Sequence, residues 1–373
     1  MKATPGKEEL RKRSRLWYLP VFLHVIGGVA AYFALRSTDP ALANNSLWLG
    51  IIMSATLTTI ALAVYLAYVN DMDALQERLS AGKVVDTSMG KIEYADVGQG
   101  IPILSIHGAG GGFDQGLINA GFFFDEETLQ NHRVIAPSRF GYLKTPLPAG
   151  DAGPTAQADA HAALLDALGI DEKVIVLGTS AGALSAQEFA IKYPDKVSAL
   201  ILAVPAVWSP ESAAEGSAEI GADNFIANTV MRSDFVIWVF MKVAYNQLLT
   251  YVGVPENLQE KMTIQEKDDA KKLMDAILPV SQKVDGGMQL AFDMANKERL
   301  PLESIRAPTL VIDAKDVVTY PGSKYAAEHI PNAKLVEFET GGHLLVGHGE
   351  DARVAVSDFL AQNRLVTTLQ EAR

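Results

Sequence analysis

The stretch "GTSAG", residues 178–182, places the hydroxyl of Ser180 between two glycines at the end of an apolar run. Residues 173–177 have the length of a buried strand, and residues 181–192 have the pattern of a helix. A serine at a sharp turn from strand to helix sits exposed on a strained backbone, as a nucleophilic serine must. Because such pentapeptides also arise by chance, the remaining chain has to supply the partners.

A base and an acid are both available further along the chain. A serine hydroxyl needs an imidazole to take its proton and a carboxylate to orient that imidazole. His343, in a glycine-rich turn after the last predicted strand, is the preferred base, and His348 in the following loop is the alternative. For the acid, Asp316 is preferred over Asp313, which still looks like part of a strand. Serine, aspartate and histidine then follow one of the known chain orders of catalytic triads.

Backbone amides that could bind an oxyanion flank the serine. Ala181 would open the helix after Ser180, where its peptide N–H points at the reacting centre. The glycine-rich stretch "HGAGGG" beginning at His107 offers a second donor, Ala109 or Gly110. We expect His107 itself to make structural hydrogen bonds in this turn. No Gly-Lys-Ser/Thr follows, so a phosphate-binding loop is not favoured.

The order of elements predicts a mostly parallel sheet covered by helices on both faces. A hairpin is expected first, from residues 83–86 and 91–97, before the main strands and helices. The expected strands are residues 101–106, 133–136, 173–177, 197–204, 309–312 and 334–338. The expected helices are residues 155–168, 181–192, 320–329 and 351–363.

Residues 208–300 interrupt this alternation with a helical pattern and no clear strand, which predicts a cap inserted after the sixth sheet element. The apolar side chains of its segment 234–245 pack the cap or line a substrate pocket. Phe235, Trp238 and Met241 are the candidates for substrate contact.

Two apolar stretches near the N-terminus predict a membrane anchor. Residues 16–35 and 47–69 carry no charge and are each about as long as a helix needs to cross a bilayer. A basic segment precedes the first stretch and a short polar link, residues 36–46, joins the two, so a transmembrane hairpin is expected. The positive-inside rule then leaves the chain after residue 69 in the cytoplasm. The alternative for the first stretch is a cleaved signal peptide.

Composition excludes several other functions. The chain has 373 residues, a formal net charge of -12 and no cysteine, which excludes disulfides and cysteine nucleophiles. Acidic charge argues against nucleic acid as a partner. The seven histidines show no metal-ligand spacing, so neither a metal nor another cofactor is expected.

These motifs resemble the α/β-hydrolase superfamily, and specifically its serine hydrolases. The resemblance covers residues 84–363 and rests on the His-Gly turn at 107–111, "PSRFGYLKTP" at 137–146, the 178–182 elbow, Asp316 and His343. Ala314-Lys315 departs from the pattern, because a glycine commonly precedes the acid, and this leaves Asp313 open.

Taken together, these observations predict domains at 1–83 (basic segment, two spans and a stalk) and at 84–373, a hydrolase domain carrying the cap. The predicted spans and the resemblance together favour a membrane-anchored esterase that acts through an acyl-enzyme on a small, apolar ester. An acyltransferase, a C–C bond hydrolase and an inactive scaffold are the alternatives.

Overall fold

The structure is a computed structural model that describes residues 33, 36, 40–214 and 232–365. The first predicted span, the basic segment before it and residues 215–231 of the predicted cap lie outside the described residues, apart from position 33. The chain forms two compact units, Met1–Ala74 and Leu75–Arg373.

An eight-stranded sheet forms the centre of the second unit. Its strands in chain order are β1 (Lys83–Thr87), β2 (Gly90–Gly98), β3 (Ile101–Ile106), β4 (His132–Pro137), β5 (Val174–Thr179), β6 (Val197–Ala203), β7 (Thr309–Ala314) and β8 (Lys334–Phe338). Their spatial order is β1-β2-β4-β3-β5-β6-β7-β8. The hairpin β1–β2 is antiparallel and β2 pairs antiparallel with β4, whereas β3 to β8 run parallel.

Helices cover both faces of the sheet. Among the described residues, the helices around the sheet are α2 (Phe113–Phe123), α3 (Glu126–Gln130), α4 (Pro154–Ala167), α5 (Ala183–Lys192), α12 (Tyr320–His329) and α13 (Gly349–Gln362), and the helices of the cap lie between α5 and α12 in the chain. Side chains along β5 alternate between two cores: Val176 packs in the core under α4 and α5, and Leu177 in the core under α2 and α13. A strand buried on both faces is apolar throughout, which explains its continuous hydrophobic run.

Most predicted elements form within a few residues of the expected positions, and β8 and α12 have the predicted bounds. Helix α2 was not predicted. Its sequence contains two glycines and no capping side chain, both of which lower helix propensity. Close packing explains why glycine stands at position 116, because a Cβ there would lie 2.9 Å from the carbonyl oxygen of Ser105. The glycine lets α2 lie close to the sheet.

The cap is helical wherever the structure describes it. Its helices are α6 (Pro210–Ala214), α7 (Asp234–Val243), α8 (Tyr245–Tyr251), α9 (Glu256–Gln259), α10 (Ile264–Asp275) and α11 (Val284–Ala295). They lie between β6 and β7 in the chain, as the sequence predicts.

The N-terminal helix α1 runs from Pro40 to Leu79. In the described part of the chain, Trp48–Leu79 is the one helix long and apolar enough to cross a membrane by length and composition. This helix contains the second predicted span and most of the predicted stalk. The expectation of a turn over residues 36–46 is wrong from Pro40 onward, because helix α1 already begins there. Leu75 and Leu79, near its end, are buried within the second unit.

Candidate active site

Ser180 occupies a strained turn between β5 and α5. Its φ of 53° lies in the left-handed region, which a residue with a side chain adopts only under constraint. The flanking glycines make the turn possible: a Cβ on Gly178 would lie 2.6 Å from that of Ala186. A Cβ on Gly182 would lie 2.5 Å from the carbonyl oxygen of Ile106. The strand and the helix can therefore approach closely only with glycine at both positions.

His343 is brought to the serine hydroxyl. It lies in the short 3-10 turn Gly342–Leu344 after β8, and its Nε2 is 3.0 Å from Oγ of Ser180. Burial lowers the pKa of His343 to about 4, so the imidazole is neutral at physiological pH. A neutral Nε2 without a proton can accept the hydrogen of the Ser180 hydroxyl.

The alternative base, His348, is placed elsewhere. Its ring stacks on Phe338 with centroids 4.3 Å apart, and its Nδ1 lies 3.4 Å from a carboxylate oxygen of Asp351. The geometry therefore pairs Ser180 with His343.

The two candidate acids have different surroundings. Asp316 is exposed, and its two carboxylate oxygens accept hydrogen bonds from the backbone N–H groups of Gly341 and Gly342, at 3.2 and 3.0 Å. Among the described residues, no hydrogen bond joins Asp316 to His343 itself. The carboxylate instead holds the turn that carries the imidazole.

Asp313 is fully buried at the end of β7. Its carboxylate accepts hydrogen bonds from the Ala314 amide at 2.8 Å, from the Ser323 hydroxyl at 2.6 Å and from the Thr319 hydroxyl at 3.2 Å. Burial raises the pKa of Asp313 to about 6 despite these bonds. Its acceptor sites thus serve the start of α12, and it is Asp316 that contacts the turn carrying His343.

The His-Gly turn lies beside the nucleophile. A Cβ added to Gly108 would be 3.2 Å from that of Ser180. Nε2 of His107 accepts from the Arg139 amide at 3.0 Å, so Nδ1 carries the proton and donates to the Gly108 carbonyl at 2.8 Å. Burial lowers the pKa of His107 well below its usual value. Both ring nitrogens are engaged by backbone, as expected for a structural histidine.

The three predicted oxyanion donors lie in the segments flanking Ser180. Ala181 follows it in the 3-10 turn Ser180–Gly182, where the first N–H groups of a helical segment have no internal acceptor. Ala109 and Gly110 lie in the loop before α2. The Tyr142 hydroxyl donates to the Ala109 carbonyl at 2.9 Å and so holds this loop.

Three residues of the cap that were not predicted from the sequence lie close to the site. Ile277, half-buried after α10, has its Cγ1 3.1 Å from where a Gly110 Cβ would stand. Leu290 of α11 packs in one cluster with Ala181. The carbonyl of Gly253 accepts from the His343 amide at 2.9 Å. A glycine after an apolar helix signals its end, but nothing local predicts these long-range contacts.

The predicted cap contacts Phe235, Trp238 and Met241 lie on α7. Trp238 and Met241 are buried, and the rings of Phe235 and Trp238 stack with centroids 6.0 Å apart. The principal neighbours of α7 are α8 and the 3-10 turn Val280–Gln282. The packing of these side chains within the cap accounts for their apolar character. Within the described ranges, no group of three or more His, Asp or Glu could hold a metal ion.

Known proteins agree with this architecture. Residues 101–349 match the family model of the alpha/beta hydrolase fold. The chain is 28% identical to 2-hydroxymuconate semialdehyde hydrolase from Pseudomonas putida, over 78% of this chain and 98% of that protein. It is 26% identical to Lipase 3 of a Moraxella strain, over 85% of this chain and 91% of the lipase.

A solved structure, an alpha/beta hydrolase fold protein from Nakamurella multipartita, superposes with a TM-score of 0.61 at 26% identity. The superposition covers 75% of this chain and 98% of the Nakamurella protein. The match to the family model extends over most of the chain and includes the elbow, the cap and the histidine turn. The chain therefore belongs to the α/β-hydrolase family and is a hydrolytic enzyme.

Proposed function

We propose that this hydrolase cleaves carboxylic esters through an acyl-enzyme formed on Ser180. The 3.0 Å contact between Oγ of Ser180 and Nε2 of His343, at a left-handed elbow, carries the proposal. Oγ attacks the ester carbonyl while His343 takes its proton, and the imidazolium returns that proton to the departing alcohol oxygen. A water molecule, deprotonated by the same imidazole, then hydrolyses the acyl-enzyme and releases the acid.

The oxyanion of each tetrahedral intermediate would bind the peptide N–H of Ala181 and that of Ala109 or Gly110. Amides fixed before the reaction stabilise the developing charge without reorganising. The bonds that hold the His-Gly turn, through His107 and Tyr142, support this role because they keep the second donor rigid.

Asp316 is the proposed third member of the triad. Its hydrogen bonds to the amides of Gly341 and Gly342 orient the turn that bears His343. Its negative charge, hydrogen-bonded to the two residues that directly precede His343, would also favour the imidazolium that forms during attack.

The substrate we propose is a small ester with an apolar acyl chain. The side chain of Ile277 beside Gly110 supplies an apolar wall where the acyl group would lie. One of the relatives is named as a lipase, which agrees with an apolar substrate. The predicted contacts through Phe235, Trp238 and Met241 would act indirectly, by packing the cap.

Hydrolysis of a carbon–carbon bond is the second candidate. The relative from Pseudomonas putida is named for a semialdehyde, a compound that has no ester bond. The same serine and histidine could attack a ketone or aldehyde carbonyl there, but the leaving group would be a carbon that must receive the proton.

We further propose that the enzyme is anchored in the cell membrane by a hairpin of two helices, residues 16–35 and 47–69. The support is the length and apolar composition of Trp48–Leu79 and the uncharged stretch that precedes it. With the basic N-terminus inside, the catalytic domain lies in the cytoplasm.

A substrate panel separates the two activities. Detergent-solubilised enzyme is assayed on p-nitrophenyl esters from acetyl to decanoyl and on a 2-hydroxy-6-oxo-dienoate. Ester hydrolysis predicts that kcat/KM rises from acetyl to medium chains, since each buried methylene contributes about 0.8 kcal/mol. Ile277→Ala should flatten that rise. Turnover of the dienoate with negligible ester turnover would instead establish carbon–carbon cleavage.

A further inference from the structure

The turn that follows α8 holds one backbone carbonyl group, that of Gly253, in a fixed conformation. Gly253 has a φ of 87° and ends the helix: its N–H donates to the Thr250 carbonyl at 3.1 Å. The Val254 N–H donates to the Leu249 carbonyl at 2.9 Å. These two bonds form the Schellman arrangement that glycine favours at a helix C-terminus. The conformation of the Gly253 carbonyl is therefore well defined.

This cap carbonyl bonds to the residue that bears the proposed base. The His343 N–H donates to the Gly253 carbonyl at 2.9 Å. The contact leaves no spare room, because a Cβ on Gly253 would lie 2.9 Å from that of His343. On the other side, a Cβ on Gly342 would lie 2.4 Å from the Gly253 oxygen. Backbone of the cap thus touches backbone of the histidine turn without side chains between them.

Gln259 of α9 stiffens the same turn from within the cap. Its buried side-chain amide donates to the Val254 carbonyl at 2.7 Å, and to the Asn246 carbonyl and the Thr250 hydroxyl at 3.0 Å each. One side chain therefore ties the end of α8 to the turn and to α9.

A second cap residue binds the other end of the loop that carries His343. Oε1 of Glu266 accepts from the Gly347 N–H at 2.5 Å, across 81 residues of sequence. Glu266 is itself held by a capping box with Thr263 at the start of α10. Burial would raise the pKa of Glu266, but its bonds to the Gly347 and Thr263 amides keep that pKa below the usual value. The carboxylate is therefore charged at neutral pH.

We propose that Gly253 and Glu266, together termed the cap clamp, position the general base by holding the histidine loop, residues 341–348, at two points. The inference rests on the proposed function of Ser180 and His343 and adds to it a role for the cap. Asp316 holds the loop from the sheet side and the clamp holds it from the cap side. Displacement of the cap would then move the imidazole away from Ser180.

The consequence for catalysis is large even if the displacement is small. A misplacement of about 1 Å at a reacting group can lower the rate about 100-fold. Gly253 and Glu266 bond to the backbone of the histidine loop and not to the Ser180 hydroxyl or the imidazole, so they are positioning residues. Their loss should lower kcat and the rate of covalent labelling much more than it changes KM.

The test compares Glu266→Ala, Glu266→Gln and Thr263→Ala in the full-length, detergent-solubilised protein. Thr263→Ala is the matched control, because it removes the Thr263 hydroxyl from the start of α10 but leaves the hydrogen bonds that the Thr263 and Gly347 amides donate to Glu266. Glu266→Gln retains an oxygen that can accept from Gly347. Two readouts are used: the rate of labelling by a fluorophosphonate, and the titration of His343 followed by NMR of carbon-13-labelled histidine.

We expect labelling of Glu266→Ala to slow about 10- to 100-fold, while Thr263→Ala changes less than about twofold and Glu266→Gln recovers most of the rate. The His343 titration should move upward in Glu266→Ala, since a loosened loop admits water to the ring. Gln259→Leu, which leaves the Glu266 side chain unchanged but removes the bond to the Val254 carbonyl, should slow labelling as well and serves if Glu266→Ala does not fold.

Equal labelling rates and equal His343 titrations in Glu266→Ala and Thr263→Ala would overturn the clamp. If the wild-type protein is not labelled, but Glu266→Ala still shifts the His343 titration, the serine mechanism is refuted and the clamp is supported. The two proposals can therefore fail separately.

Discussion

Burial sets the protonation of His343 and of Asp313, and it does so in opposite directions. Removing water disfavours the charged form of each group, so the pKa of the imidazole falls to about 4 and that of the carboxyl rises to about 6. For His343 this keeps the nitrogen facing Ser180 free to accept a proton. For Asp313 it opposes ionisation, against the hydrogen bonds donated to its carboxylate by Ser323, Thr319 and the Ala314 amide, which favour the charged form.

The acid limb of the pH profile should reveal this shift. The proposed mechanism needs neutral His343, and the lowered pKa of this residue means that the neutral form persists until the pH approaches about 4. We therefore expect kcat/KM on a non-titrating ester to stay level from about pH 8 to pH 5 and to fall below that. Activity recovered on return to neutral pH excludes acid unfolding. A midpoint near 6.5 would show that the imidazole is not desolvated.

The two aspartates should respond differently to replacement by asparagine. Asp316→Asn leaves one of the amides of Gly341 and Gly342 facing an NH₂ group, so the histidine turn shifts and the imidazolium loses a counter-charge. We expect kcat to fall by on the order of 10²- to 10⁴-fold.

Asp313→Asn should chiefly affect folding. It weakens hydrogen bonds to Ser323 and Thr319 at a buried site, at a cost of about 1–3 kcal/mol in the free energy of unfolding. The measurements are kcat per folded molecule and denaturant unfolding. A larger loss of kcat from Asp313→Asn would make Asp313 the acid.

Among the elements, the elbow between β5 and α5 makes a strict demand on residue size. A Cβ at Gly182 would lie 2.5 and 2.6 Å from the carbonyl oxygens of Ile106 and His107. We therefore expect Gly182→Ala to abolish turnover and to lower the melting temperature. Gly121→Ala is the matched control, because a Cβ there meets nothing within 4 Å in α2. It should stabilise the protein by up to about 1 kcal/mol. Equal effects of the two substitutions would contradict the packing argument.

The strands could be predicted because burial on both faces makes them continuous apolar runs, as in β5 and β6. Helix α2 could not, because its glycines serve close packing against the sheet and obscure the helical pattern. The choice between Asp313 and Asp316 stayed open in the sequence for a similar reason. The hydrogen-bond donors that distinguish the two carboxylates are distant in sequence. Ser323, which donates to Asp313, lies in the next helix, and Gly341, which donates to Asp316, lies beyond the next strand.

The contacts of the cap were even harder to predict from the sequence. The capping-box pattern at Thr263 and Glu266 is readable in the sequence, and so is the glycine that ends α8. That both contact the histidine loop depends on how the cap folds over the sheet. The aromatic residues of α7 are more conspicuous in the sequence, yet Trp238 packs inside the cap.

For the whole molecule, orientation in the membrane is the open prediction. The basic segment before residue 16 and the single arginine, Arg36, between the predicted spans predict that both ends of the proposed hairpin lie in the cytoplasm. Alkaline phosphatase, which is active only outside the cytoplasm, should be silent when fused after Arg373. A green fluorescent protein fused at the same position should fluoresce. Strong phosphatase activity would reverse the orientation.

Covalent labelling by a fluorophosphonate tests the central claim, that Ser180 is a nucleophile activated by His343, most directly. The wild-type protein should be labelled on the peptide containing Ser180, as identified by mass spectrometry. Ser180→Ala should not be labelled at all, and His343→Ala should react at least about 10³-fold more slowly, because the two residues act as a unit. His348→Ala should react at the wild-type rate. Labelling of Ser180→Ala at the wild-type rate would contradict the account.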